Sequence, residues 1–352
     1  MVRGDPLTDA SRLRSAPTNE GAMSTLKFGV WIPSYCYPDL SYQRARSEVG
    51  DFARKANDLG IDLWVIDHLL HAPGLYGMPW LEPMTTLTYA AAFAPDVRCG
   101  TGILVLPLRN PVILAKEIAT LDYLTGGKFI FGIGGGWDPD EFRAVGTRIE
   151  ERGKRTDEIL AAVRTLLTKD HVSFDGQYYQ FDDVTIEPRP PKMPEVWVAG
   201  GSRIPDPEYH DLPVLSKAVL NRILEADAWI SRCSGSQEWI KRDWAQIKEG
   251  LAARGRPVSS LTFAHTNFTY VVDTANRDKA HEIQRGYFEQ VMGTHRTFEH
   301  LQECYLLGTP DDIVARLKDL EGAGLEYVVL GPTSDQLDQL DLINDKIISA
   351  FR

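Results

Sequence analysis

Cysteine is scarce in this chain. The four present (Cys36, Cys99, Cys233 and Cys304 among 352 residues) lie far apart, with no CxxC pair. That pattern argues against a zinc knuckle and for a reduced, cytoplasmic protein. An excess of positive charge is also missing. Lys and Arg number 38 against 49 Asp and Glu, a formal net charge of -11, which argues against nucleic acid or an anionic membrane as the main partner. No apolar run approaches the roughly 20 residues of a membrane span. Residues 1–25, MVRGDPLTDASRLRSAPTNEGAMST, lack the apolar core of a signal peptide. They are expected to be a disordered leader, or translation upstream of Met23, and 26–352 to form one domain. A G-x-S-x-G turn is absent, which argues against a serine hydrolase. The dinucleotide fingerprint fails as well: in the run from Gly132, Trp137 stands where the third glycine is required.

Glycine, by contrast, is concentrated. The stretch Gly126–Trp137, GGKFIFGIGGGW, ends a helix, runs through a short apolar segment, and masses four glycines within five residues before DPDEF opens another helix. Where a strand passes into a helix, such glycines remove every Cβ and let a flat or anionic ligand approach the backbone. A tight turn is the plainer alternative.

A helical stretch ending in Gly and followed at once by an apolar run recurs, as FARKANDLG–IDLWVI, IATLDYLTGG–KFIFGIG and ARLKDLEGAG–LEYVVLG. Glycine supplies the left-handed helix cap, and the continuous apolar run reads as a strand buried on both faces. Eight such strands are expected: 27–32, 63–66, 98–106, 128–133, 195–199, 226–231, 262–272 and 327–330. Eight βα units in one chain of this length predict an α/β fold of the TIM (β/α)8 barrel type with loop insertions, its active site at the C-terminal strand ends. A doubly wound sheet is the runner-up. The segment VSFDGQYYQFDDVTIEP predicts a hairpin turning at Asp175-Gly176, and RIPDPEYHDL (203–212) a loop over the mouth.

In such a barrel the residues just past each strand converge. They include Asp67, His68 and His71 after the second strand, and Gly102-Ile103 within the third, with Pro107, Arg109 and Asn110 past its end. Gly134, Gly135, Gly136 and Trp137 follow the fourth, and Gly200, Gly201 and Ser202 the fifth. This mouth reads as glycine-rich, aromatic and short of carboxylates. A metal-dependent hydrolase would want several His and carboxylate ligands; Asp67, His68, His71 and His265 could be assembled into a set, but their spacing is not diagnostic. No metal is expected. Trp31, Tyr35 and Tyr37 follow the first strand and are expected to wall a substrate pocket, with core packing the alternative. Arg152, Lys154 and Arg155 read as a solvated helical face, with Arg155 a candidate for a cofactor phosphate.

The runs LGIDLWVIDHLL, CGTGILVLPLRNPVILAKEIATLDYLTGGKFIFGIGGGWDPDEF, PEVWVAGGS and LLGTPDDIVARLKDLEGAGLEYVVLG resemble the bacterial luciferase-like superfamily of flavin-dependent monooxygenases and deazaflavin-dependent oxidoreductases. The resemblance spans the chain from Leu26 nearly to its end. It implies a TIM barrel holding a reduced flavin or deazaflavin at its mouth. His68 then corresponds to the catalytic histidine near the reactive ring edge, accompanied by Asp67. Gly102-Ile103 corresponds to a bulge, often with a non-proline cis peptide, behind the ring. Gly134 and Gly135 would line the ring, while Ala199, Gly200, Gly201 and Ser202 correspond to the phosphate-side run. Deazaflavin-dependent sugar-phosphate dehydrogenases of the family carry a catalytic Glu where this chain has Trp137.

The expected function is therefore a monooxygenase using reduced FMN, supplied by a separate reductase, and dioxygen to oxidise a small apolar or aromatic substrate in a pocket including Trp31, Tyr35 and Trp137. The alternative is hydride transfer with the deazaflavin coenzyme F-420. A flavin-storage protein and a metal hydrolase rank below both. A homodimer is expected from the resemblance alone.

Overall fold

The first crossover shows how local signals build the barrel. Ser41 caps α1 (Tyr42–Leu59) by accepting the Arg44 N–H, and Gly60 ends it at φ 69°, in the left-handed region that glycine favours. The chain then enters a buried strand that pairs parallel to the one before the helix. The computed structural model describes residues 24, 26–72, 76–205 and 213–352. The expected leader, but for Ser24, lies outside the described residues, as do 206–212 of the expected mouth loop.

β1 (Lys27–Trp31) precedes α1, and β2 (Asp62–Val65) leads to α2 (Pro83–Ala91). The third barrel position is split into β3 (Cys99–Thr101) and β4 (Leu104–Val105), followed by α3 (Pro111–Leu124), β5 (Phe129–Gly134), α4 (Pro139–Ala144) and α5 (Arg152–Leu166). A hairpin, β6 (Val172–Asp175) with β7 (Gln180–Val184), precedes β8 (Glu195–Ala199), α6 (Lys217–Ile223), β9 (Ala228–Ser231) and α7 (Gln237–Ala253). β10 (Thr262–Thr269), α8 (Arg277–Met292), α9 (Phe298–Cys304), α10 (Pro310–Ala323), β11 (Tyr327–Pro332) and α11 (Asp338–Leu342) complete the order.

Hydrogen bonding runs β3-β2-β1-β11-β10-β9-β8-β5, and β3 also pairs with β5, so the sheet closes as an eight-position parallel barrel. The expected barrel is thus the observed one. The expected single strand 98–106 is interrupted at Gly102-Ile103, whose peptide bond is cis. The hairpin is present, but its turn is longer than expected. Gly176 N–H bonds the Tyr179 carbonyl, and Glu158 on α5 accepts the N–H groups of Gln177, Tyr178 and Tyr179 at 2.7–2.9 Å.

Inside the barrel, Trp64, Trp197 and Tyr327 pack mutually, with ring centroids 5.0–5.7 Å apart and all three rings buried. Their polar ends are satisfied in a chain: Trp64 Nε1 donates to Tyr327 Oη, which donates to Asp62 Oδ2. Glycine makes the room, since a Cβ on Gly29 or Gly100 would come within 2.4 Å or 2.8 Å of the Trp64 ring. This plug fills the barrel beneath its C-terminal mouth, so a ligand can enter only above it.

Candidate active site

Above the plug lies a cavity of about 460 Å³ lined from the ends of seven of the eight strand positions. That volume falls within the range of small-molecule and cofactor sites. Of the residues singled out from sequence, Trp31, Asp67, His68, Gly102, Ile103, Gly134, Gly135, Trp137, Ala199, Gly200 and Gly201 line it.

Tyr35, Tyr37 and Ser202, expected at the site, stand elsewhere. Tyr35 is buried, with its hydroxyl donated to the Pro332 carbonyl at 2.7 Å and its ring packed on Trp80 and Tyr37. Burial raises its phenol well above the ordinary value. It serves packing, because its polar end is already satisfied away from the cavity. Ser202 faces inward too: its N–H and hydroxyl both donate to Asp243, so that N–H is not free to cradle an anion.

His68 sits in an aromatic enclosure. Its ring centroid is 4.8 Å from Tyr76, 5.7 Å from Trp137 and 6.2 Å from Trp80. The imidazole is buried, and Nδ1 lies without a hydrogen bond 3.5 Å from Glu141 Oε1. Glu141, on α4, was missed in the sequence reading. It is 1% exposed, and Oε1 accepts the N–H of Leu69 at 2.7 Å and of Leu70 at 3.2 Å. The carboxylate therefore pins the backbone turn that carries His68. The only sequence signal was a Glu inside the helix-opening DPDEF, where an exposed first-turn acid is the ordinary reading.

Asp67 is also tied down. Its Oδ2 accepts from the Val105 N–H and from Arg109, both at 2.8 Å. Burial raises the Asp67 carboxyl above its ordinary value while the Arg109 guanidinium pulls it back. With Glu150, these residues give the cavity three carboxylates, more than expected, but Asp67 and Glu141 are both committed to neighbouring backbone. Among the described residues no group of three or more His, Cys, Asp or Glu is placed to hold a metal ion.

Glycine backbone and guanidinium groups make up another part of the lining. Gly200 and Gly201 follow β8 with φ 159° and 145°, and Arg152, Arg222 and Arg232 line the same wall. A Cβ on Gly200 would meet Val219 of α6 at 2.4 Å, and one on Gly201 would lie 3.0 Å from Asp243 Oδ2. Arg222 is braced by Asp157 and by the Gly153 carbonyl. Arg155 does not line the cavity: it pairs with Glu151 and covers the Tyr178 ring at 4.2 Å. Arg152, one turn earlier, lines it instead. A Cβ on Gly135 would meet nothing closer than Thr156 Oγ1 at 3.9 Å, so bare backbone borders open cavity there. Arginines beside glycine backbone, a stretch of bare backbone and an aromatic enclosure with one histidine fit a phosphorylated tricyclic cofactor.

Known proteins point the same way. The sequence profile of a family described as luciferase-like monooxygenase matches residues 26–205. Over 347 residues the chain is 25% identical to the F420-dependent glucose-6-phosphate dehydrogenase of Amycolatopsis mediterranei, covering 90% of this chain and 98% of that protein. It is 24% identical to the FMNH(2)-dependent dimethylsulfone monooxygenase of Pseudomonas putida, covering 87% and 90%. The crystal structure of monooxygenase RslO1 from Streptomyces bottropensis superposes with a TM-score of 0.73 at 21% identity, covering 93% of this chain and all of that one.

Proposed function

The chain belongs to the luciferase-like monooxygenase family, and on that premise we propose that it is a monooxygenase using reduced FMN and dioxygen on a small apolar or aromatic substrate. When bound, the reduced flavin would supply the electrons that activate dioxygen. Gly200, Gly201, Arg152 and Arg222 would hold its phosphate, and Gly102, Ile103, Gly134 and Gly135 would line its ring.

The chain's own residues supply three further things. Trp31, Tyr76, Trp137 and Phe268 line the cavity with aromatic surface that excludes water and favours apolar substrates. His68 is the proton-handling group, and Glu141 fixes its turn by accepting two backbone N–H bonds. Asp67, held by Arg109 and Val105, fixes the adjoining backbone against the third strand position.

The observation that carries this reading is Trp137 packed edge-on against His68, at the position where the resemblance places an acid in deazaflavin-dependent sugar-phosphate dehydrogenases. The competing reading, hydride transfer with coenzyme F-420, draws support from the near full-length match to one such dehydrogenase. A separate flavin reductase and a homodimer belong to the proposal through the resemblance alone.

Parallel titrations separate the readings. Purified protein is mixed with oxidised FMN, reduced FMN and F-420, and each reduced complex is then exposed to air. Binding of FMN with an altered rate of reoxidation is expected. Tight F-420 binding with no affinity for either FMN form would reverse the assignment.

A further inference from the structure

The two nitrogens of the His68 ring have different surroundings. Nδ1 is buried, makes no hydrogen bond, and lies 3.5 Å from Oε1 of Glu141 on α4. His68 is 7% exposed and Glu141 1%, and both line the cavity. Nε2 has no hydrogen-bond partner among the described residues, yet it is not sealed off as Nδ1 is; it opens on the cavity that the ring lines.

A neutral imidazole carries one proton, on Nδ1 or on Nε2. Here the carboxylate decides between them. Oε1 already accepts the N–H groups of Leu69 and Leu70, so it has lone pairs and negative charge to offer and no proton. A bare Nδ1 lone pair 3.5 Å away would set two acceptors against each other, whereas Nδ1–H turns a positive end to the oxygen. Glu141 also fixes which way the ring is turned, because a flipped ring would place a C–H there. The proton rests on Nδ1, and Nε2 shows the cavity a lone pair.

Tyr76, Trp80 and Trp137 wall the ring, so an imidazolium formed there needs a charge close by to answer it. Asp67 and Asp138 are the other carboxylates acting on His68. Asp67 is already paired with Arg109, and Asp138 is taken up in capping α4 through the Asp140 N–H. Glu141 faces the ring nitrogen directly, and no Lys or Arg pairs with it among the described residues.

We propose that Glu141 is a positioning residue that keeps the resting proton of His68 on Nδ1, so that Nε2 acts as a base towards the cavity. In that step Nε2 takes the proton of a bound O–H or N–H group, the electron pair of the broken bond stays on the donor atom, and the Glu141 carboxylate balances the imidazolium. The inference rests on His68 being the proton-handling group, as proposed above, and gives Glu141 a part beyond holding the turn.

Nitrogen NMR of histidine-labelled protein, recorded before any cofactor is added, tests it; the His68 signals are those missing from His68→Ala. In wild type at pH 9 the neutral Nδ1–H tautomer is expected. The Nε2–H tautomer would overturn the assignment whether or not any variant folds. Glu141→Gln keeps an oxygen for the two backbone N–H groups and removes the charge. Its His68 ring should bind the second proton at least about tenfold more weakly than wild type, a titration midpoint lower by about one pH unit or more. An equal midpoint in the folded variant would reduce Glu141 to a clamp on the backbone and end the proposal; if the variant does not fold, the wild-type tautomer decides. With no cofactor present, either failure leaves the FMN and F-420 titrations to judge the monooxygenase reading separately.

Discussion

His265 makes acid stability a quantitative test of the barrel interior. Folding moves its pKa from 6.5 to about 3, chiefly through burial. Above pH 6.5 the ring is neutral in both states and the group contributes no pH dependence. Below 6.5 the unfolded ring takes up a proton that the folded ring refuses, so the unfolded state binds more protons and stability falls as pH drops towards 3. At pH 5 the ring is about 1.5 pH units below its unfolded pKa, and at about 1.4 kcal/mol per unit the loss is about 2 kcal/mol. The perturbation is His265→Gln, which removes the titration and has a constant cost of its own from the disturbed contacts with Ser231 and Asn267. Urea unfolding of both proteins at pH 8 and pH 5 gives a double difference in which the other histidines cancel. Wild type should lose about 2 kcal/mol more than the variant between the two pH values. Equal losses would refute a ring that stays buried and neutral.

Other expectations follow from single contacts. Gly132→Ala would place a Cβ 1.8 Å from the Thr101 carbonyl oxygen, where β3 meets β5; backbone cannot yield as a side chain can, so a destabilisation of about 3 kcal/mol or more is expected, read as lost soluble yield or a lowered urea midpoint. Gly201→Val asks a branched residue to adopt φ 145° and brings its Cβ 3.0 Å from Asp243 Oδ2. A folded variant should bind FMN at least about tenfold more weakly by fluorescence titration. His68→Ala should bind FMN normally and, once a substrate is in hand, turn over about 10²–10⁴-fold more slowly; near-normal turnover would return His68 to a packing role.

Sequence alone determined the features that depend on neighbours along the chain. Gly60 caps a helix because a glycine there adopts φ 69°, whatever the rest of the fold does. Runs such as FIFGIG, buried at every position, read as strands covered on both faces, and repetition of that unit leads to the barrel and its mouth. The glycine cluster at 134–136 was legible for the same reason: missing Cβ atoms are a property of the residues themselves. What tertiary structure decided is which polar groups meet across the barrel. Glu141 reaches the N–H of Leu69 from 72 residues away, and Ser231 meets His265 from 34 away, at separations fixed by strand register and barrel closure. The same long-range geometry took Ser202 out of the site, by giving its N–H to Asp243, and pointed Tyr35 at the Pro332 carbonyl. A polar side chain carries no local mark of its eventual partner. Its role is set by which donor or acceptor the closed barrel places within about 3 Å of it.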